Sequence, residues 1–451
     1  MKISTSATPP AQPATPAGEA EISFNSPQMR RILASSFIGS AIEFYDFILY
    51  ATAASLVFNK VFFTNLDPAV AIFASFATLA VGYLARPIGG IVFGHFGDKL
   101  GRKGVLVTSM LMMGVATTLI GLLPTTAQIG MLAPVALIVL RVVQGLAVGG
   151  EWGGAMLMAL EHAPKERRGF AASFANMGGP AGAVLATLAV SAVSILPNEQ
   201  FLSWGWRIPF LFSIVLIAIG LVIRLKVSES PLFLALENKA EEKKTPIVEV
   251  LTKYPVSVIK GTLVGMSSYT VQGLMTVWAI SYVVDTAGMD RTAVLNVKAV
   301  GAALTVVGIW FAARYSDKLG RRPVMFAGII MGAIMALPIM WMLELGELWL
   351  FAVALFVANG VIQAAIFGPF GAFSAELFPT RIRYTGASLV YQLSSTLGAG
   401  FTPLIISGLV LATGGSLWLT GVVWAGSFLV AGLCLLTVKE SRHQDLTAEI
   451  I

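Results

Sequence analysis

Residues Asp98-Lys99-Leu100-Gly101-Arg102-Lys103 recur, nearly unchanged, as Asp317-Lys318-Leu319-Gly320-Arg321-Arg322, and both copies sit in short basic gaps between long apolar stretches. A chain that repeats one charged hairpin between apolar walls is a duplication threaded through a membrane. The apolar stretches are about 20 residues or longer, enough for a helix rising 1.5 Å per residue to cross the hydrocarbon core. Twelve are expected, at 31–57, 70–94, 104–123, 131–157, 170–195, 205–226, 256–284, 294–312, 323–343, 348–372, 386–411 and 415–438.

Composition excludes the soluble alternatives. Hydrophobic residues make up 56% of the chain and charged residues 12%, about half the charged share of a soluble domain; the mean hydropathy is +0.80. With a cytoplasmic amino terminus, nearly all Lys and Arg outside the spans fall on one side, Arg30, Arg31, Lys99, Arg167, Arg168, Lys318, Arg322 and Arg381 among them. The other side keeps Lys60, Arg291 and Lys298. The positive-inside rule then places both termini in the cytoplasm. The net charge of +6 reflects that topology and contact with anionic lipid, not a nucleic-acid surface. Cys434 has no partner, so no intrachain disulfide forms. No metal-ligand cluster, nucleotide-binding loop or nucleophile constellation is present, so neither an enzyme nor a cofactor is expected. The organisation read from this is a disordered cytoplasmic tail (1–28), a six-helix bundle (29–226), a polar cytoplasmic linker (227–255), a second bundle (256–438) and a short tail (439–451).

Six helices, a linker, six helices and the doubled hairpin resemble the major facilitator superfamily. Local motifs narrow the likeness. Glu43-Phe44-Tyr45-Asp46-Phe47, Arg86-Pro87-Ile88-Gly89-Gly90, Arg141-Val142-Val143-Gln144-Gly145 and Gly149-Gly150-Glu151-Trp152-Gly153, with Trp206-Arg207-Ile208-Pro209-Phe210, are similar to the metabolite:proton symporter family. The resemblance covers residues 30–440. It implies an all-α, twelve-helix fold in a bacterial inner membrane and import of a small polar metabolite by alternating access, with protons as the coupling ion. It also implies a central cavity lined by spans one, four, seven and ten.

The residues themselves carry chemistry that suits such a cycle. Glu43 and Asp46 lie at i and i+3 with Tyr50 a further turn on, so all three are expected on one side of the first helix. Glu43 is about 18 Å along that helix from Arg31, near mid-membrane. A carboxylate there costs roughly 2.5 to 3.5 kcal/mol, so one of the pair must hold a proton or sit beside a cation, and both are candidates for proton coupling. Arg141, with Gln144 and Glu151 following on the fourth span, keeps its charge and is suited to an anionic substrate. Arg86 adds a second cation beside Pro87. In the second half Tyr269, Gln272, Asn359 and Gln363 supply neutral hydrogen-bonding groups.

Gly94, Asp98, Gly101, Arg102 and Lys103, and in the second copy Asp317, Gly320 and Arg321, read as a gate: a carboxylate set against a helix amino terminus, worth roughly 0.3 to 1 kcal/mol, can be made and broken within a cycle. The second copy has Ala313 where the first has Gly94, which predicts a looser helix approach there. Gly178-Gly179-Pro180-Ala181-Gly182 in the fifth span is similar to an antiporter pattern. The expected partners are therefore a small metabolite, protons and membrane lipid. An exporter working by antiport, a ligand-sensing receptor and a carrier of zwitterionic osmolytes stay open at this point, as do the substrate and the oligomeric state.

Overall fold

Lipid offers the backbone no hydrogen bonds, so a chain this apolar must satisfy its amides within helices. The structure is a computed structural model describing residues 24, 26–100, 102–149, 151–226, 246–379 and 382–440, with the side chains of 94–106, 151, 165 and 223–226 outside the description. Among the described residues there is no strand.

The long helices, numbered in chain order, are α1 (Pro27–Leu56), α2 (Pro68–Leu100), α3 (Arg102–Leu122), α4 (Leu132–Glu161), α5 (Arg168–Ser194) and α6 (Arg207–Lys226), then α7 (from Pro255–Val271 on through Thr286), α8 (Arg291–Leu319), α9 (Arg321–Glu344), α10 (Leu348–Glu376), α11 (Arg383–Ala412) and α12 (Trp418–Leu436). Among the described residues ten candidate spans are long and apolar enough to cross a membrane. Their outward faces carry large apolar side chains such as Leu84, Ile88, Trp341 and Leu433, a surface that water would not tolerate and lipid does.

Helix ends follow local chemistry. Ser26 caps α1 by accepting from the Met29 amide at 3.1 Å, with Pro27 as the first helical residue. Asp290 caps α8 through the Ala293 amide at 2.7 Å. The duplicated hairpin is tighter than a loop: α8 runs through Asp317 and Lys318, and Gly320 alone separates it from α9, at φ +108°. That backbone suits glycine, and an added Cβ would also press on the Glu440 carboxylate, which accepts from the Arg321 and Arg322 amides at 2.9 Å each. The described end of the linker forms a short helix, Pro246–Lys253.

The second half differs in texture. Wide π turns interrupt α7 (Gln272–Trp278), α10 (Phe356–Gln363) and α11 (Thr396–Gly400). Such turns re-aim side chains and cluster at functional sites. Against the expectation from Ala313, α8 approaches α10 closely: an added Cβ on Gly368 would press on Ala312 and Ala313, so the small residue comes from the other helix. Gly178 and Gly182 pack against the backbone of α1, and Gly398 against Tyr269 of α7. The Gly-Pro segments are thus close-packing points in both halves.

The halves touch at both ends of the bundle. At the end where the chain enters α1 and leaves α12, here the terminal face, Trp152 stacks on Tyr391 at 3.7 Å, the Gln392 amide donates to the Gly149 carbonyl at 3.0 Å, and Asn176 donates to the Phe367 carbonyl at 2.8 Å. At the opposite face Lys60 pairs with Asp285 at 2.6 Å and Ser55 donates to the Val277 carbonyl at 2.9 Å. Contacts at both ends define an occluded arrangement, with the central polar residues shut away from solvent.

Candidate functional site

The centre is built on α1. Glu43, Phe47 and Tyr50 follow one another at helical spacing and share a face, and two arginines meet on that face. The Arg86 guanidinium carbon lies 3.7 Å from the Phe47 ring centroid and 4.5 Å from that of Tyr83; the Arg141 carbon lies 4.0 Å from Phe47 and 4.1 Å from Tyr50. Both guanidinium groups therefore lie against the one Phe47 ring. Both arginines are buried, at 2% and 0% exposure.

Insertion of each cation costs about 2.5–3.5 kcal/mol at the bilayer centre, and a desolvated cation–π contact returns about 2. Each arginine stacks on two rings, so these contacts are of the same size as the insertion cost. The charges also repel, since their carbons are no further apart than the sum of the two distances to Phe47; at about 8 Å and an effective dielectric of 20 that costs roughly 2 kcal/mol. Arg86 Nε and Arg141 Nε and Nη2 are buried without a hydrogen-bond partner. Neither arginine forms an ion pair with a described residue. The site is a cationic pocket with N–H groups to spare.

Arg141 reaches this position because α2 has no side chain at Gly82: an added Cβ would overlap the arginine's Cγ, Cδ and Nε. Its Nη1 donates to Gln144 Oε1 at 3.1 Å, and Gln144 Nε2 donates to Thr117 Oγ1 at 2.7 Å. Thr117 and Ser213 are the hydroxyls beside the Asp46 carboxyl, with Ser213 donating to Oδ1 at 2.7 Å. Polar groups thus run from Arg141 through Gln144 to Thr117, which lies beside Asp46 and gives its own proton to the Met113 carbonyl at 2.9 Å. Asp46 Oδ2 has no partner.

The expectation that Glu43, Asp46 and Tyr50 share one side needs correction. Positions i and i+3 differ by about 60° around a helix, and here that separates them. Asp46 turns inward against α3 and α6, Tyr50 donates to Thr78 Oγ1 of α2 at 2.7 Å, and Glu43 faces α11, where its charge and that of Arg86 act on Tyr391. The buried ring of Tyr391 lies 5.7 Å from that of Tyr269, and the two hydroxyls lie near each other. Tyr269 and Tyr391 are therefore the second half's contribution.

Asn359 and Gln363 bond to each other at 3.1 Å on the π turn of α10, with Asn359 Oδ1 unpartnered; Gln272, half-buried, begins the π turn of α7. No described contact joins these three to the arginines. The Glu151 side chain lies outside the described residues, as do Gly101 and the side chains of Asp98, Arg102 and Lys103 and the surroundings of Gly94. Phe47, Tyr83, Trp152 and Tyr391 were not among the expected site residues; one-turn spacings point to Phe47 from Glu43 and to Tyr83 from Arg86, and no such spacing marks Trp152 or Tyr391.

The second hairpin is described in full. Asp317 accepts from the Gly169 and Phe170 amides at the start of α5, at 3.0 and 2.8 Å, and pairs with Arg321 at 2.5 Å. Arg321 also stands 3.6 Å from Glu376. Lys298 is misplaced in the charge count above: it lies inside α8, 2% exposed, not in a loop.

Residues 36–403 and 302–449 match the Major Facilitator Superfamily, and the chain belongs to it. The shikimate transporter of Escherichia coli (strain K12) is 38% identical over 418 residues, 92% of this chain and 95% of that one. An inner membrane metabolite transport protein of the same strain is 41% identical over 425 residues, with the same coverage. A proline/betaine transporter of that strain is 33% identical over 402 residues, 85% of this chain and 78% of its own. The fold of a D-xylose-proton symporter matches with a TM-score of 0.71 at 18% identity, over 92% of this chain and 98% of that one. The protein is a multi-pass membrane transporter with the twelve-helix fold of the superfamily, and not an enzyme.

Proposed function

We propose that the protein is a proton-coupled symporter that imports a small carboxylate-bearing metabolite across a bacterial inner membrane, with the terminal face in the cytoplasm. The observation that carries this reading is the pair of buried arginines against Phe47, with three N–H-bearing nitrogens unpartnered. A carboxylate accepting from their free N–H groups would relieve their repulsion through charge-assisted hydrogen bonds. The substrates for which the shikimate and proline/betaine transporters are named all carry a carboxylate.

The charge count supplies the coupling. With Glu43 and Asp46 ionised the four groups sum to zero; one proton leaves a net positive charge that a carboxylate neutralises. Asp46, beside Thr117 at the end of the polar groups that run from Arg141 through Gln144, is the group through which proton and substrate would sense each other.

The test is uptake of a labelled metabolite panel by proteoliposomes with and without an imposed proton gradient. Accumulation of carboxylates that rises with external acidity and collapses with a protonophore is expected, with the matching amides excluded. Gradient-independent accumulation would remove the coupling. Acid-driven expulsion would make the protein an antiporter, and binding without counterflow a receptor.

A further inference from the structure

Among the described residues Lys298 is the one lysine whose side chain is buried, and it lies on the seam between the halves. It sits two turns into α8, and its Nζ donates across the seam to Thr52 Oγ1 of α1 at 2.7 Å. The Thr52 hydroxyl spends its own proton on the Ile48 carbonyl at 2.8 Å, so it accepts from the amine and offers it no charge.

No carboxylate among the described residues faces it from the helices packed around. On α1, Glu43 and Asp46 lie roughly 9–13 Å below Thr52, turned toward Tyr391 and Ser213. Between Arg168 and Glu199 α5 carries no charged residue and faces α8 with Ser191 and Ser194, bonded to Asn296 and Thr292. On α10 the acids Glu347 and Glu376 stand at the two ends, on α9 Glu344 is held by the Leu417 amide, and on α7 Asp285 pairs with Lys60. On α8 itself Asp290 caps the helix and Arg291 turns to α5. A buried ammonium without a counter-ion is expensive, while a neutral amine keeps its bond to Thr52. Separation of α1 from α8 would hydrate the amine and remove that expense.

We propose that Lys298 is a proton-binding site of the opposite face, which takes a proton from outer water when α1 and α8 part and returns it there as they close. It rests on the proton-coupled cycle proposed above and adds to it the sensor that sets the acidity at which the outer gate opens. The open state binds one proton more than the closed state, so falling pH favours opening. By linkage the open-to-closed ratio rises tenfold per pH unit while that difference holds.

The proton itself is the probe, so no substrate is needed. Spin labels at Leu66 and Thr286, exposed positions beside the Lys60–Asp285 contact, report the outer gate in lipid nanodiscs in a Cys434→Ala background. The parent is expected to lengthen this distance on acidification, Lys298→Met to stay closed throughout, and Thr52→Val, which deprives the closed state of the amine's partner, to open at higher pH. A monodisperse Lys298→Met protein that opens as the parent does overturns the proposal, as does a parent without acid opening. If Lys298→Met fails to fold, a Thr52→Val midpoint equal to the parent's overturns it. Loss of acid opening in Asp46→Asn, with Lys298→Met unaffected, moves the sensor to the carboxyl site. Lys298-dependent opening without gradient-driven accumulation sinks the symport reading and leaves this one standing.

Discussion

Arg141 offers the most direct perturbation of the site. Its guanidinium stacks on Phe47 and Tyr50, spends Nη1 on Gln144 and keeps Nε and Nη2 open. Lysine at this position preserves the charge but presents a point donor where a planar fork stood. One charge-assisted hydrogen bond is then lost, about 1.5–3 kcal/mol, which at 1.4 kcal/mol per decade weakens substrate affinity about 10- to 150-fold. Arg141→Gln removes the charge as well and is expected to leave no measurable binding of anionic metabolites. The assay is equilibrium binding and counterflow on purified, monodisperse protein, using the panel metabolite that the parent accumulates. Parental affinity in Arg141→Gln would refute the reasoning and leave Arg86 as the remaining cation in the first half. A purely structural arginine would instead make both variants misfold together, which size-exclusion profiles reveal.

Asp46→Asn and Glu43→Gln are expected to insert normally and to lose acid-driven accumulation, with at least one retaining energy-independent exchange; parental accumulation in both would place proton coupling elsewhere. Asp317→Asn keeps one acceptor oxygen for two backbone amides and loses the charge facing Arg321, so closure of the terminal face should weaken about 10- to 150-fold. Turnover should fall while substrate affinity holds, and equal losses of both would end the gate assignment. Gly82→Ala should displace the Arg141 side chain and raise the half-saturation concentration with protein yield unchanged; transport indistinguishable from the parent would show that this placement is dispensable.

The helices were legible because lipid leaves an apolar chain no other way to satisfy its amides, and the cations and acids were legible because such residues are expensive inside a membrane. What escaped was direction. Glu43 and Asp46 differ by a fraction of a turn, and only the neighbours decide that Ser213 receives one while Tyr391 faces the other. Phe47 and Tyr391 escaped because aromatic residues in a chain with 56% hydrophobic content carry no mark that separates a ring under an arginine from a ring facing lipid. Lys298 was counted with the outer loops because charge was assumed to lie outside the spans. The π turns of α7, α10 and α11 have no sequence signature that periodicity detects.

The two ends of α5 complete the mechanical argument. At its amino terminus, where the helix dipole is positive, α8 presents Asp317; at its carboxyl terminus, where the dipole is negative, the same helix presents Arg291, which donates to the Ser194 and Leu196 carbonyls at 2.8 and 3.4 Å and stacks on Phe201. One rigid helix of the second half thus grips one helix of the first at both ends, with charges of the correct sign at each. Rocking the halves about the centre must release one grip while keeping the other, so neither open state sacrifices both. Lys298 stands between the two grips, nearer Arg291, where its charge bears on the release of the outer one.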